Sequence, residues 1–103
     1  MTVVRTAIGR FAPEQHDAVA RELADSEVSL REAIQGLDGL IHFYAAVDSE
    51  RSYVANVSVW TTSEAAHQMD SLQAMLERRP LLEQAGVHFE ATTNHETVWE
   101  IVP

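Results

Sequence analysis

The residues best suited to chemistry lie in one stretch, Tyr53 to Met69. Asn56 and Trp60 are four positions apart in the run YVANVSVW, so a strand there would turn both to the same side. An asparagine amide can hold a carbonyl or phenolate oxygen, and an indole N–H can donate to a developing negative charge. The alternative interpretation is structural: Asn56 faces a wet interface and Trp60 packs at the end of the strand.

Three further polar side chains are candidates for a ligand site. His42 and Tyr44 share one face of the preceding strand, where they could line a pocket or a dimer seam. His67 follows Trp60 on a helix, on the side opposite the apolar stripe, which favours exposure. Either histidine is a candidate base for an isomerase or cyclase. Glu64 and His67 are three positions apart, but the sequence has no second pair of potential ligands with metal-site spacing, so no metal site is predicted.

Size and charge exclude several classes of protein. The 103 residues suit a single domain, 1–103, and the formal charge of −9 disfavours nucleic-acid binding. The seven basic residues are all arginines and are scattered apart from one adjacent pair, so no polybasic membrane anchor is expected. No apolar run approaches the roughly 20 residues of a membrane span. The N-terminus lacks a signal-peptide pattern, which makes the cytoplasm the expected location.

The apolar periodicity predicts six main elements, and Pro80 is expected to end the second helix or to start a short one that closes at Gly86. The order β-α-β-β-α-β is that of the α+β, ferredoxin-like split βαβ fold, a four-stranded antiparallel sheet with helices on one face. The predicted elements are strand 2–9, helix 13–35, strands 40–47 and 52–60, helix 63–77 and strand 93–102.

The central hairpin leaves two registers open and predicts a partner. An even-length turn at 48–51 would pair Phe43 with Asn56 and place His42 and Tyr44 on the opposite face, whereas an odd turn would exchange the two sets. The two strands are apolar on both faces, but two helices can cover only one of them. A second copy of the chain is the simplest cover for the other face, so a homodimer is predicted.

In its element order and in the segment VSVWTTSEAA, the sequence resembles the antibiotic-biosynthesis-monooxygenase-like domains of the dimeric α/β barrel superfamily. The resemblance implies homodimers with sheets packed back to back and a pocket between sheet and helices in each subunit. Some members oxidise aromatic polyketides or quinols with O2 and no metal or flavin. The resemblance therefore implies a cofactor-independent monooxygenase with a small aromatic substrate. The alternatives are a non-catalytic, ligand-binding homodimer and an isomerase or cyclase.

The resemblance also assigns residues. Asn56 and Trp60 reproduce the Asn-x-x-x-Trp pattern of the cofactor-free monooxygenases, and Arg79, or Arg78 beside it, occupies the place of their arginine. These enzymes carry a helix tyrosine where this chain has Ala66. The implied catalytic residues are Asn56, Trp60 and Arg79.

The implied substrate-binding residues are less well matched. Met69 stands where many relatives carry a histidine, and His67 is the nearest histidine to it. Haem-degrading members use a helix tryptophan and a later histidine, so their activity is not supported here. The candidate substrate contacts are His42, Tyr44, His67 and Met69.

Overall fold

The computed structural model describes all 103 residues and confirms the predicted ferredoxin-like α+β architecture. Its helical segments are divided more finely than the sequence pattern indicates. The elements are β1 Val3–Arg10, a 3-10 turn Pro13–Gln15, α1 His16–Asp25, α2 Glu27–Gln35, β2 Leu40–Asp48, β3 Tyr53–Trp60, α3 Ser63–His67, a 3-10 turn Gln68–Ser71, α4 Gln73–Gln84, β4 His88–Phe89 and β5 Thr93–Glu96.

The sheet is antiparallel throughout, with strand order β2-β3-β1 followed by β4 and β5. The two short strands pair with opposite ends of the same edge of β1: β4 with Gly9 and Arg10, and β5 with the stretch from Val3 to Thr6. They therefore occupy the fourth strand position together. A side chain at Gly9 would collide with Val87 and Phe89, so glycine permits the close approach of β4.

The last strand is shorter than predicted. It ends at Glu96, which pairs with Val3, the first residue of β1. Beyond Thr97, which still bonds to Thr2, the chain passes the start of β1 and has no neighbouring strand to pair with. Four large apolar side chains of this tail are exposed: Val98, Trp99, Ile101 and Val102.

The hairpin between β2 and β3 has the facing of an even-length turn, but its pairing differs from the one that a turn at 48–51 would give. Ala45 opposes Asn56 and Phe43 opposes Ser58, a shift of two residues. The cause is that Asp48 ends the strand instead of starting the turn. Its Oδ1 accepts the backbone N–H groups of Glu50 and Arg51, both at 2.9 Å, so the turn occupies residues 49–52. The turn length is even, so every side chain lies on the face that the even-turn alternative gives it.

The first predicted helix is present as α1 and α2, which join at a bend. Ser26 occupies the junction, where its hydroxyl donates to the Leu23 carbonyl at 2.6 Å. Backbone bonds from Ser26 to Glu22 and from Leu30 to Ser26 run across the junction. A serine hydroxyl bonded to the preceding turn commonly bends a helix in this way.

The second helical segment is interrupted earlier than predicted. Thr62 caps α3 by accepting the Ala65 N–H at 3.0 Å, as its sequence pattern indicates. The interruption falls at Leu72, which is extended, and α4 then runs through Pro80. The expectation of a break at Pro80 is therefore wrong. The proline lacks only the bond to the preceding turn, and the helix continues on both sides of it.

All helices pack on one face of the sheet. The core forms two clusters, one around Trp60, Leu30 and Ile34 and the other around Val19, Val54 and Leu82. The other face of the sheet carries no helix, and none of its side chains belongs to either cluster. None of the helices combines the length and apolar character needed to span a bilayer.

Candidate functional site

A cavity of about 160 Å³ lies between the sheet and the helices. Strands β1 and β3 form its floor, and α4 with the turn before it forms its roof. Small residues make room for it, because Asn56 is flanked in register by Ala7 on β1 and Ala45 on β2. Its lining residues are Arg5, Ala7, Phe43, Asn56, Ser58, Met69, Asp70, Met75, Leu76, Arg79, Leu82, Phe89 and Thr92.

Asn56 is the polar group at the centre of the floor. Its Oδ1 is buried and has no hydrogen-bond partner within the protein. A buried acceptor left without a donor costs roughly 1–3 kcal/mol of stability. Because Asn56 also lines the cavity, this unsatisfied oxygen is a candidate acceptor for a hydrogen bond from a bound molecule.

Trp60 lies on the same strand face as Asn56, but it does not line the cavity. The side chain is fully buried in the core, and its indole N–H donates to Ser58 Oγ at 2.8 Å. Ser58 does line the cavity. Because the Ser58 oxygen accepts the indole hydrogen, the hydroxyl hydrogen is directed away from Trp60. Trp60 thus reaches the cavity only through Ser58.

Arg79 is the cavity arginine. Its guanidinium lies over the Phe89 ring, 4.9 Å from the ring centre, and both side chains line the cavity. Arg79 takes part in none of the salt bridges of the chain. Arg78, in contrast, pairs with Glu22 at 2.6 Å and is absent from the cavity wall. The structure therefore distinguishes the two arginines that the sequence leaves open.

A second arginine enters the cavity as part of an ion-pair network. Arg5 is buried, its Nη2 lies 2.6 Å from Asp70 Oδ1, and its Nη1 donates to Asn94 Oδ1 at 3.4 Å. The other oxygen of Asp70 lies 2.8 Å from His67 Nδ1. Hydrogen bonds from His67 and then from Arg5 hold the pKa of Asp70 below its usual value. Asp70 is therefore an anion at neutral pH and a weak base.

The remaining candidates lie elsewhere. His42 and Tyr44 stack on each other on the outer face of the sheet, with ring centres 5.9 Å apart, on the side away from the cavity. His67 is half exposed beside Asp70 and does not line the cavity. Met69, by contrast, forms part of the roof. Neither histidine is placed to act as a base inside this cavity.

Sequence reasoning missed four polar residues of the wall: Arg5, Ser58, Asp70 and Thr92. Arg5 carried a usable signal, since strand alternation puts it on the same face as Val3 and Ala7. A charged residue at an inward position of a strand needs a partner or a ligand. Asp70 gave no such signal, because its role depends on a turn that brings it over β1.

A larger open groove of about 500 Å³ lies between α1, α2 and the edge strand β2. Its wall is mainly apolar and includes Leu30, Ile34 and Leu40. Phe43 borders both this groove and the smaller cavity, so its ring separates the two spaces. Nowhere in the chain do three histidine, aspartate or glutamate side chains come together as a metal site would require.

Comparison with known proteins gives matches in structure but not in sequence. No family sequence model matches the chain, and a search of curated protein sequences finds no significant match. Rv0793 from Mycobacterium tuberculosis superposes with a TM-score of 0.70 at 14% identity, over 99% of this chain and 100% of that protein. A proposed antibiotic biosynthesis monooxygenase from Deinococcus radiodurans gives a TM-score of 0.70 at 18% identity, over 100% and 98%.

A third solved structure has an assigned activity. It is a variant of SnoaB, a cofactor-independent oxygenase from Streptomyces nogalater. It superposes with a TM-score of 0.63 at 15% identity, over 97% of this chain and 96% of that protein. At these identities the similarity establishes the fold and leaves the reaction to be argued from the cavity.

Proposed function

We propose that this chain, which has the fold of the antibiotic-biosynthesis-monooxygenase-like proteins, is a cofactor-independent monooxygenase that oxidises a small quinol-type aromatic with O2. The observation that carries the proposal is the pairing of Asn56, a buried acceptor without a partner, with the unpaired Arg79 in one mostly apolar cavity. The activity of SnoaB, a cofactor-independent oxygenase of the same fold, supports the reaction type.

The proposed reaction needs no external reductant. A quinol and one O2 give a hydroxyquinone and one water, and the substrate supplies all four electrons. The ring phenolate gives electrons to O2, and a carbon–oxygen bond forms at the ring carbon beside the phenolate oxygen. The resulting hydroperoxide loses water as its O–O bond breaks and the carbon loses its hydrogen. The protein contributes orientation, exclusion of water and charge stabilisation.

Each polar residue has a proposed part in this chemistry. Arg79 binds an anionic oxygen of the substrate and holds the ring in place, because a guanidinium attracts and hydrogen-bonds negative charge. Asn56 accepts a hydrogen bond from a second hydroxyl and fixes the ring. Ser58 donates to the oxygen that gains charge, and the indole N–H of Trp60 holds its hydroxyl in place. Trp60 is in this scheme a positioning residue and not a direct donor.

We also propose that the protein is a homodimer with the outer faces of two sheets in contact. Val4, Ile8, Val57 and Val59 lie on that face, and no helix covers it. Tyr44 is more than half exposed there. An uncovered apolar sheet face is the usual site of association with another chain.

Oxygen uptake tests the proposed function. Purified, metal-stripped protein is mixed with hydroquinone and with dihydroxybenzoate, and O2 consumption is followed beside product formation. We expect one O2 consumed per product and a loss of about a hundredfold in rate for Asn56→Ala, as for other groups that bind a reacting oxygen. Tyr44→Phe, which removes a hydroxyl from the outer face, is the control and should retain full activity. Absence of any turnover by the wild type would contradict the proposal.

A non-catalytic binding protein is the second candidate. It is favoured by Ala66, which is fully buried where the oxygenases that the sequence resembles carry a tyrosine, and by the indole N–H of Trp60, which is already used by Ser58. This function predicts saturable binding of the same aromatics with no oxygen uptake, so the same samples separate the two candidates.

A further inference from the structure

We infer that the ligand of the cavity is a single-ring aromatic acid with a hydroxyl group, its carboxylate at Arg79 and its hydroxyl at Asn56. This inference rests on the proposed function in that it names the substrate class of the same cavity. Three properties of the wall carry it: the volume, the local charge and the positions of the hydrogen-bonding groups.

The volume limits the ligand to one ring. A cavity of about 150 Å³ is large enough for benzene, and this one measures about 160 Å³. One six-membered ring with two small substituents fills such a space. A fused three-ring polyketide does not fit unless the wall moves. Phe43 is the residue that sets this limit, because its ring separates the cavity from the larger groove.

The charge of the wall selects an anion. Arg5 and Asp70 neutralise each other at 2.6 Å, which leaves Arg79 as the uncompensated charge of the cavity. This local positive charge stands out in a chain with a net charge of −9. The Phe89 ring beneath the guanidinium fixes its position at 4.9 Å. A carboxylate can accept two hydrogen bonds from such a fixed guanidinium.

The hydrogen-bonding groups set the orientation. Asn56 Oδ1 is buried and requires a donor, which a ring hydroxyl supplies and a carboxylate does not. Arg79 is exposed and therefore lies at the open end of the cavity. The acid thus binds with its hydroxyl inward and its carboxylate toward solvent. Met75, Leu82 and Phe89 provide the apolar contact for the ring between these two ends.

Binding under argon tests the inference without turnover. The probes for calorimetry are para-hydroxybenzoate, phenol, which lacks the carboxylate, benzoate, which lacks the hydroxyl, and anthraquinone carboxylate, which has three rings. We expect para-hydroxybenzoate to bind at least tenfold more tightly than phenol or benzoate, and anthraquinone carboxylate not to bind. Equal affinities for para-hydroxybenzoate and phenol, or tight binding of anthraquinone carboxylate, would overturn the inference.

Matched variants locate the two contacts. Arg79→Gln should remove the preference for para-hydroxybenzoate over phenol. Arg21→Gln, which removes the other arginine without a salt-bridge partner, lies outside the cavity and should retain that preference. Asn56→Ala should remove the preference for para-hydroxybenzoate over benzoate and should retain the preference for para-hydroxybenzoate over phenol. Equal losses in Arg79→Gln and Arg21→Gln would show a general charge effect and overturn the inference.

The size limit is tested at Phe43, and turnover is assayed separately. Phe43→Ala should join the two spaces and allow anthraquinone carboxylate to bind, and failure to do so in a folded variant would contradict the size argument. Selective binding of para-hydroxybenzoate with no oxygen uptake on any quinol would remove the oxygenase function and leave this inference standing. Oxidation of neutral quinols without a preference for the hydroxy acid would support the oxygenase function and overturn this inference.

Discussion

The two faces of this sheet are built from the same strands, and both depart from the pattern of an ordinary half-covered sheet. The face under the helices carries Arg5, Asn56 and Ser58 at its centre. The face without helices carries Val4, Val57 and Val59 at adjacent positions. In most antiparallel sheets the covered face is apolar and the open face is polar. Each face therefore carries side chains that this ordinary pattern does not explain.

The difference bears on where each part of the proposed function resides. Burying polar side chains beneath helices lowers stability unless they form hydrogen bonds with one another or with a ligand. Arg5 has Asp70 and Ser58 has Trp60, whereas Asn56 has no partner. In the proposed function the covered face is therefore the ligand face. The open face, which no helix covers, is the proposed surface for assembly.

The largest expected effect is a difference in stability loss between a substitution in the core beneath the helices and one on the open face. Trp60→Ala removes a fully buried side chain, and we expect it to lower the free energy of unfolding by about 3–5 kcal/mol. Val59→Ala, one residue earlier on the open face, should cost about 1 kcal/mol or less in the monomer. Urea denaturation at low protein concentration measures both. Equal losses would mean that the two faces are packed alike.

The second prediction concerns assembly. Val57→Lys places a charge in the middle of the open face, and an unpaired charge in an interface costs about 3 kcal/mol or more. We expect the dissociation constant of the dimer to rise at least a hundredfold, with the cavity and the fold of each chain retained. Sedimentation equilibrium should then report the mass of a single chain, 11.5 kDa.

The control for this variant is Val28→Lys, which adds the same charge at an exposed valine of α2. It should leave the dimer unchanged. A wild-type protein that sediments as a monomer at all concentrations would refute assembly through this face, and a Val57→Lys dimer of unchanged affinity would place the interface elsewhere.

Most of the fold could be predicted from local signals. The strands around Asn56 and the cap at Thr62 follow from alternation and capping chemistry, and both are present. The register of the hairpin could not be predicted, because it depends on whether Asp48 ends a strand or begins a turn. The length of the last strand could not be predicted from local pattern either, because the strand ends opposite Val3, the first residue of its neighbour β1.

The cavity was predictable only in part, for a similar reason. Asn56 and Arg79 line it, as the resemblance implied, but no local pattern shows that the indole N–H of Trp60 is already used by Ser58. His42 lies on the other face, as an even-length turn requires. Because the sequence left even and odd turns open, it could not decide whether His42 faces a pocket or the outer surface. Contacts between distant elements, such as Arg5 with Asp70, follow from tertiary packing and carry no sequence signal of their own.

The third prediction tests the hydrogen bond beneath the helices. Ser58→Ala leaves the buried indole N–H of Trp60 without an acceptor, which should lower stability by about 1–3 kcal/mol. Trp60→Phe should cost a similar amount. The double variant should cost less than the sum of the two, because it removes both polar partners together. Thermal and urea denaturation of wild type, the two single variants and the double variant complete this double-mutant cycle. Strictly additive losses of stability would contradict a hydrogen bond shared by the two side chains.

The smallest effect lies at the edge of the cavity and depends on pH. Hydrogen bonds from His67 and from Arg5 lower the pKa of Asp70, so its ionised form is favoured by folding. The resulting stability is fully present above the ordinary aspartate pKa of 3.8 and is lost as the pH falls through the lower folded value. Because the carboxylate is 54% exposed, solvent screening should keep the contribution below about 1 kcal/mol.

Asp70→Asn should therefore be less stable than wild type at pH 6, and the difference should shrink below about pH 4. The hydrogen bond from His67 is the largest cause of the lowered pKa, so the difference in stability that Asp70→Asn produces should depend less on pH when both proteins of the pair carry His67→Gln. A difference that is constant from pH 6 to pH 3 would show that the Asp70 carboxylate contributes through packing and not through its charge.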